Sequence, residues 1–237
     1  MSGLLRMSDV GMRIEGLDLS VGERVLLAGF SLAIGPGEVT TVMGPSGCGK
    51  SSLLSWLCGT LDPSFRAVGQ VFLDGAPIDE LPPERRRLGI LFQDDMLFPH
   101  LSVGGNLAFA LLASVRGRER RARVAAALSE ADLDGFALRD PATLSGGQRA
   151  RVALMRTLLA LPRALLLDEP FNKLDRDLRQ RVRRFVFDHA RRSELPTLLV
   201  THDPADAEAA GGAVVTLPDQ AVGAPVLPWR QSGRRLA

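Results

Sequence analysis

The chain has no tyrosine, only two cysteines, and only two lysines among its 29 basic residues. Two cysteines provide no disulfide framework, so the composition favours a reducing compartment such as the cytoplasm. No run of about 18 apolar residues occurs, and we therefore expect no segment that crosses a membrane. The first residues, MSGLLRMSDVGMR, lack the apolar core and the cleavage site of a secretory signal.

The chain also lacks a strong excess of charge, since its formal net charge is +2. The net charge therefore gives no reason to expect nucleic acid as a partner. Apolar residues make up 46% and charged residues 24% of the chain, as in soluble globular proteins. The 237 residues suffice for one compact unit rather than two full domains. We predict one domain over residues 1–217 and a tail rich in Pro, Gly and Arg over residues 218–237.

Short stretches of alternating apolar and polar residues in the first third predict an antiparallel sheet: MRIEGLDLSV, RVLLAGFSLAI and QVFLDGAPI. Nearly continuous apolar runs predict buried parallel strands: EVTTVMG, LGILFQ, ALLLDEP and PTLLVTHD. Helical patterns follow the first of these runs, fill residues 103 to 160, and cover residues 176 to 192. The sequence therefore predicts an α/β fold with a mixed or parallel core sheet, an N-terminal antiparallel β subdomain, and an inserted helical subdomain over residues 95–160.

The segment GPSGCGKSS, residues 44–52, satisfies the full pattern of a phosphate-binding loop between a strand and a helix. Its glycines allow backbone N–H groups to turn towards a β-phosphate, while Lys50 adds a positive charge across the β- and γ-phosphates. Ser51 offers its hydroxyl to Mg²⁺. A compact ammonium fits here where a planar guanidinium would not, although the chain otherwise uses arginine almost everywhere. The candidate nucleotide ligands of this loop are Gly44, Pro45, Ser46, Gly47, Cys48, Gly49, Lys50, Ser51 and Ser52.

The run ALLLDEP brings two adjacent carboxylates to the end of a buried strand. Burying carboxylates is costly unless a cation or a reaction needs them. Because neighbours on a strand point in opposite directions, we expect Asp168 in the Mg²⁺ shell and Glu169 beside a hydrolytic water as general base. His202 and Gln93 each follow a buried strand, so they should reach the same edge of the sheet, where ligands bind. His202 would hydrogen-bond a γ-phosphate, and Gln93 is a candidate ligand of Mg²⁺ or water; taken alone, each is an ordinary residue of a strand end or loop.

A second glycine pair lies in LSGGQ, residues 144–148, just before the helical pattern QRARVALMRTLLA. Backbone N–H groups and the positive end of a helix dipole favour an anion at this position. We expect Ser145 and the N–H groups of Gly146 and Gly147 to face outward. The simpler interpretation is a capped helix with a glycine-rich approach.

Together these motifs resemble those of the ATP-binding subunit of an ABC transporter, over nearly the whole chain. GPSGCGKSS corresponds to the Walker A motif, Gln93 to the Q-loop, LSGGQ to the signature, LLLDE to Walker B, NKLD at 172–175 to the D-loop, and His202 to the H-loop. The resemblance implies Mg²⁺-dependent hydrolysis of ATP by a homodimer in which two chains sandwich two ATPs head to tail. It also implies nucleotide contacts by Asp175 of the D-loop and, across the dimer, by Ser145, Gly146, Gly147 and Gln148.

The segment PPERRRLGILFQDDMLFPHLSVGGNLAFAL resembles the importer subgroup of bacterial ABC ATPases, for thiamine, iron, polyamines and sulfate, and in particular its Ynj-type subunits. The resemblance implies a peripheral protein on the cytoplasmic side of the cell membrane, without a solute that we can name. Its partners would be integral membrane permease subunits, contacted around Gln93 and Phe98 to Leu101, and indirectly a solute-binding protein, but no nucleic acid. An alternative within the family is the ATPase of a lipoprotein-release or cell-division complex.

The chain departs from the family pattern at the position of the aromatic residue that stacks on adenine, where Val21 aligns. Base affinity and the preference for ATP over GTP are therefore open. The arginine-rich run RGRERRAR, residues 116–123, is either a solvated helix surface or a contact with anionic lipid or a membrane partner. Within the phosphate loop, we expect alkylation of Cys48 to block nucleotide binding, and we expect Cys58 to be buried packing.

Overall fold

A computed structural model describes residues 11–172, 174 and 176–218 of the chain. Its strands and helices, in chain order, are β1 (Met12–Val21), β2 (Arg24–Ile34), β3 (Val39–Met43), α1 (Lys50–Cys58), β4 (Phe65–Leu73), β5 (Ala76–Pro77), α2 (Pro83–Arg86), β6 (Leu88–Leu91), α3 (Val103–Ala110), α4 (Gly117–Glu130), α5 (Gly146–Leu159), β7 (Ala164–Asp168), α6 (Arg176–Arg192), β8 (Thr197–Thr201), α7 (Pro204–Ala210) and β9 (Val214–Thr216). No helix in these ranges is both long enough and apolar enough to span a membrane.

The N-terminal strands form an antiparallel sheet in the order β2-β1-β4-β5. In β1 the buried side chains are Met12, Ile14, Leu17 and Leu19, so the alternation expected of a half-buried strand shifts by one residue after Ile14. The pairing of β1 with β2 has an irregularity at this point, between Ile14 and Leu17, and a bulge of this kind keeps the apolar face towards the core on both sides.

The second sheet is parallel, with the order β6-β7-β8-β3-β9. In β7, Leu165 and Leu167 belong to the core shared with the helices, whereas Ala164 and Leu166 belong to the core shared with the antiparallel sheet. Both faces of this strand are covered, and this explains its uninterrupted apolar sequence. Because the carboxyl ends of β3, β7 and β8 lie side by side, the segments that follow these strands meet at one edge.

The predicted fold class is confirmed, and the helical pattern of residues 103 to 160 resolves into α3, α4 and α5 with irregular connections. The strand LGILFQ ends at Leu91, two residues before Gln93. The short elements α2, α7 and β9 have no predicted counterpart. The strand predicted from QVFLDGAPI begins earlier than expected, because β4 starts at Phe65. Of the predicted tail, residues 219–237 lie outside the part of the chain that the structure describes.

Candidate nucleotide site

The phosphate loop connects β3 to α1 at the carboxyl edge of the parallel sheet. The residue just before α1, Gly49, has a left-handed backbone with φ of 102° and lies against Leu26, so that a side chain there would be strained. Inside the loop, the buried ammonium of Lys50 donates hydrogen bonds to the carbonyl oxygens of Gly44 and Pro45, at 2.7 and 2.8 Å. An ammonium has three donors, and these bonds use two of them.

Ser51 and Asp168 meet where the loop faces the end of β7, with Ser51 Oγ donating to Asp168 Oδ1 at 3.4 Å. Burial raises the pKa of Asp168, although the hydrogen bond from Ser51 and the charge of Lys50 oppose the rise. A nearby cation stabilises the ionised form of a carboxyl group that burial has desolvated. Hydroxyl and carboxylate oxygens are the donors that Mg²⁺ prefers, so this pair fits that ion.

Glu169 follows Asp168 but does not continue the strand, because β7 ends at Asp168 and Glu169 has a left-handed backbone with φ of 47°. Our premise that both carboxylates lie on the strand is therefore wrong. The chain turns between them, and the Glu169 carboxylate meets different partners. Its Oε1 lies 3.1 Å from Nδ1 of His202, and its Oε2 accepts a hydrogen bond from the side-chain amide of Asn172.

Asn172 was missed by the sequence analysis, which considered it only as part of the D-loop. From α6, Arg179 donates to the carbonyl oxygens of Asn172 and Leu174, both at 3.3 Å. The same guanidinium donates to Asp203, the residue after His202, at 2.9 Å. The turn after β7 and the turn after β8 are thus tied to one side chain of α6. Two other D-loop residues, Lys173 and the predicted ligand Asp175, lie outside the described residues.

A cavity of about 410 Å³ lies over the phosphate loop and within the size range of ligand sites. Nine of its lining residues are predicted site residues: Ser46, Gly47, Gly49, Lys50, Ser51, Ser52, Gln93, Asp168 and Glu169. The antiparallel sheet contributes four more, namely Val21, Arg24, Leu26 and Phe65. Arg24 and Phe65 had no motif signal, because only the pairing of distant strands brings them to the loop.

The signature residues stand at the start of α5, which begins at Gly146. Ser145 Oγ accepts from the Gln148 N–H at 3.4 Å, and the Gln148 side chain accepts from the Ser145 N–H at 2.9 Å. This reciprocal pair is a capping box, and it engages the Gln148 side chain locally. Ser145 and Gly146 are exposed. Gly147 is buried, and a Cβ on it would lie 2.6 Å from Leu178 Cγ, whereas the outward direction of its N–H group stays a prediction.

Neither cysteine is a readily alkylated thiol. Cys48 is only 1% exposed, and its Sγ lies 2.7 Å from the place where a Cβ on Gly44 would be. The expected alkylation of Cys48 is therefore not supported in the folded chain. Cys58 is partly exposed rather than fully buried, and burial raises the pKa of its thiol to about 11. At neutral pH Cys58 is a thiol, whereas the thiolate is the nucleophile.

The arginine-rich run of residues 116–123 forms the first turns of α4, where most of its side chains are exposed. Arg120 instead donates to the carbonyl oxygen of Val115 at 2.8 Å, and Arg123 pairs with Glu119 one helical turn away. These contacts fit a solvated helix surface, and a contact of the exposed arginines with anionic lipid or a membrane partner stays a prediction.

In the parallel sheet, one strand leads through a glycine loop into a helix, and a lysine and a serine of this segment face an acidic strand end. This arrangement defines a P-loop nucleoside triphosphatase. The family model described as "ABC transporter" matches residues 27–172. The chain belongs to the ATP-binding family of ABC transporters, which binds and hydrolyses ATP.

Several curated relatives are similar over most of this chain. It is 48% identical over 196 residues to the uncharacterized ABC transporter ATP-binding protein YnjD of Escherichia coli, with 83% of this chain and 90% of that protein covered. It is 40% identical to the Fe(3+) ions import ATP-binding protein FbpC 3 of Rhodococcus jostii, over 87% of this chain and 59% of that protein. It is 46% identical to the spermidine/putrescine import ATP-binding protein PotA of Frankia alni, over 74% of this chain and 37% of that protein. The resemblance found in the sequence is confirmed.

Proposed function

We propose that this chain is the ATP-hydrolysing motor subunit of a transporter that imports a small solute across the cytoplasmic membrane. The observation that carries the catalytic part is the Glu169 carboxylate, which is held by His202 and Asn172 beside the phosphate loop. The import ATP-binding proteins among the relatives support the transport role. They favour it over the ATPase of a lipoprotein-release or cell-division complex.

The residues of the cavity divide the chemistry of phosphoryl transfer between them. Lys50 and the loop N–H groups bind the phosphates. Ser51, Asp168 and Gln93 would hold Mg²⁺, which would supply positive charge to offset the negative charge of the phosphates. Glu169 accepts the proton of the attacking water as general base. His202 and Asn172 fix the orientation of this carboxylate through their contacts with its two oxygens.

The active unit in this proposal is a homodimer. Among the described residues, none of the signature residues 145–148 lines the cavity over the phosphate loop. Ser145 and Gly146 are nevertheless exposed at the N-terminus of a 14-residue helix, where backbone donors and the helix dipole favour an anion. This arrangement supports contact with the ATP bound by a second copy of the chain. Each site would then need residues from both copies.

Membrane permease subunits would dock in a second cavity, of about 870 Å³, that lies beside the residues following β6. Several large apolar side chains of this cavity are exposed, including Met96 at 61% and Phe109 at 66%. Exposed apolar side chains that share one concave surface are typical of a site for a protein partner. Phe92 lines this cavity, and its neighbour Gln93 lines the nucleotide cavity, so movement of a docked partner would reach the site of hydrolysis.

Arg156 of α5 connects the same surface to the signature helix. Its guanidinium donates to the carbonyl oxygens of Met96 and Asp95, at 2.8 and 3.1 Å, and lies 5.3 Å from the ring centre of Phe98. The segment that we assign to the permease contact is therefore held by the helix that begins at Gly146. This supports a mechanism in which closure of the dimer and movement of the membrane subunits are coupled.

The test of the motor function is Glu169→Gln, which removes the general base but keeps the size of the side chain. We expect this variant to bind ATP, to lose hydrolysis by at least about 100-fold, and to remain dimeric with ATP in size-exclusion chromatography. Glu208→Gln, an exposed change on α7, is the matched control and should hydrolyse ATP like the wild type. Wild-type hydrolysis by Glu169→Gln would contradict the proposal.

The transport role needs its own experiment. We expect affinity purification from membranes to recover an integral permease with this chain, and vesicles holding both to accumulate the solute of an associated binding protein when ATP is present. Replacement of Phe109 by Asp should release the permease without changing basal hydrolysis, because Phe109 lies outside the nucleotide cavity. Extrusion of a solute or lipid in this assay would contradict import.

A further inference from the structure

The departure at Val21 is accompanied by an aromatic residue on the neighbouring strand. Val21 is the last residue of β1, and Phe65, the first residue of β4, is its partner in the antiparallel pairing. Residues directly opposite each other in such a pair have adjacent side chains on the same face of the sheet. Both of these residues line the cavity over the phosphate loop. A ring thus lies next to the position where the family pattern has an aromatic residue and this chain has valine.

A tight turn holds Phe65 at this position. The Phe65 N–H donates to the carbonyl oxygen of Asp62 at 3.0 Å, while Ser64 donates to the Asp62 side chain through its N–H at 2.8 Å and its hydroxyl at 2.6 Å. The ring is partly buried against the core below the antiparallel sheet. The turn and this packing limit the directions that the ring can take at the edge of the cavity.

Arg24 links this end of the cavity to the phosphate loop. It is the partner of Val21 on the other side, at the start of β2, and its guanidinium donates to the carbonyl oxygen of Gly47 at 3.0 Å. Val21, Arg24 and Phe65 therefore form one wall of a cavity that also contains Lys50 and Ser51. A nucleotide whose phosphates lie on the loop has this wall available for its base.

We propose that Phe65 is the surface on which the base of ATP stacks, in place of the aromatic residue that Val21 replaces. Stacking on a ring is tolerant of base identity, because every base has a π-face, so the contact increases affinity for ATP and GTP alike. Val21 leaves room beside the ring, and Arg24 places a planar cation within the same wall. The inference rests on the proposed nucleotide function and adds the residue that recognises the base.

The first experiment compares Phe65→Ala with the wild type by calorimetric titration with MgATP, MgGTP and inorganic tripolyphosphate. We expect about tenfold weaker binding of both nucleotides and unchanged binding of tripolyphosphate, which has no base. Phe65→Tyr should restore nucleotide affinity. The matched control is Phe72→Ala on the same strand, since Phe72 lies on the opposite face, beneath Arg13, and does not line the cavity.

The second experiment remains informative if Phe65→Ala folds poorly. Phe65→Trp keeps a ring in place, and ATP should quench its fluorescence, whereas tripolyphosphate should not and Phe72→Trp should not respond. Unchanged nucleotide affinity in Phe65→Ala, an equal loss for tripolyphosphate, or no quenching in Phe65→Trp would overturn the role of Phe65. A wild-type chain that binds neither ATP nor tripolyphosphate would instead overturn the proposed function.

Discussion

Asp168 and Glu169 are adjacent in sequence but have different surroundings, because the chain leaves the strand between them. Asp168 ends β7 and accepts from Ser51, whereas Glu169 has a left-handed backbone and meets His202 and Asn172. The alternation of side chains along a strand also predicts that the two carboxylates point in different directions. The actual cause is the turn of the backbone at Glu169, which lies outside the strand. Left-handed backbones in residues other than glycine carry strain and are concentrated at functional sites.

The substitution Asp168→Asn tests the stability cost of burying this carboxylate. Burial raises the pKa of Asp168, so the folded chain binds this proton more tightly than the unfolded chain, and stability falls as the pH rises from the ordinary value of 3.8 through the raised pKa. Near neutral pH the whole penalty is present, and Asp168→Asn should increase the Tm of the nucleotide-free protein by about 2 °C. The gain should disappear in acid, and MgATP hydrolysis should fall about 100-fold.

Differential scanning fluorimetry across the pH range, together with phosphate release, measures both effects. Ser51→Ala is the control, because it removes the hydrogen bond that stabilises the ionised carboxylate and should lower the Tm instead. A lower Tm for Asp168→Asn at neutral pH would show that the carboxylate stabilises the fold.

At the scale of elements, α5 and α6 approach closely where Gly147 meets Leu178. This contact fixes the helix whose first residues form the signature, and α6 in turn binds the turns after β7 and β8 through Arg179. The signature and the catalytic turns therefore contact the same helix. The glycine at position 147 has a packing role inside this chain, in addition to any contact with a nucleotide.

Gly147→Ala tests this packing role. The added Cβ would overlap the Leu178 side chain, and such overpacking costs about 1 to 3 kcal/mol of the free energy of unfolding. Leu178→Ala combined with Gly147→Ala should recover part of that loss, which denaturant unfolding of the single and double variants would measure. The exposed Gly146→Ala is the control and should not be destabilised in this way. Additive losses in the double variant would argue against the contact.

For the whole molecule, the two glycine motifs imply an active unit of two chains. If the signature acts on the partner's nucleotide, Ser145→Arg and Lys50→Ala damage opposite halves of a site. A mixed dimer of these two variants retains one undamaged site, so we expect it to keep about half of the wild-type hydrolysis, whereas each variant alone is inactive. Differently tagged chains purified in two steps provide the mixed dimer for a phosphate-release assay. Full inactivity of the mixed dimer, with ATP still bound, would contradict action in trans.

Most strands of the parallel sheet are marked by patterns that are local in sequence. Apolar runs mark β3, β6, β7 and β8, and the glycine loop after β3 shows where phosphates bind, because strand length, periodicity and turn chemistry act over a few residues. The short β9 lacks such a signal and is placed by its pairing with β3 and by the packing of Val215 on the core. The same limit explains the late start predicted for β4, whose first residues FRAVG are ordered by pairing with the end of β1.

Motifs along the chain predicted the fold class, the family, the phosphate loop with Lys50 and Ser51, and Asp168 at the end of a buried strand, because each of these depends on residues close together in sequence. The folded chain reveals three further relations: Phe65 lies beside Val21, Asn172 donates a hydrogen bond to Glu169, and Gly147 is buried. Each of these relations depends on how far the chain turns between strands and on which helix covers a face. The long-range packing that sets those turns has no periodicity in the sequence, and so no local pattern predicts it.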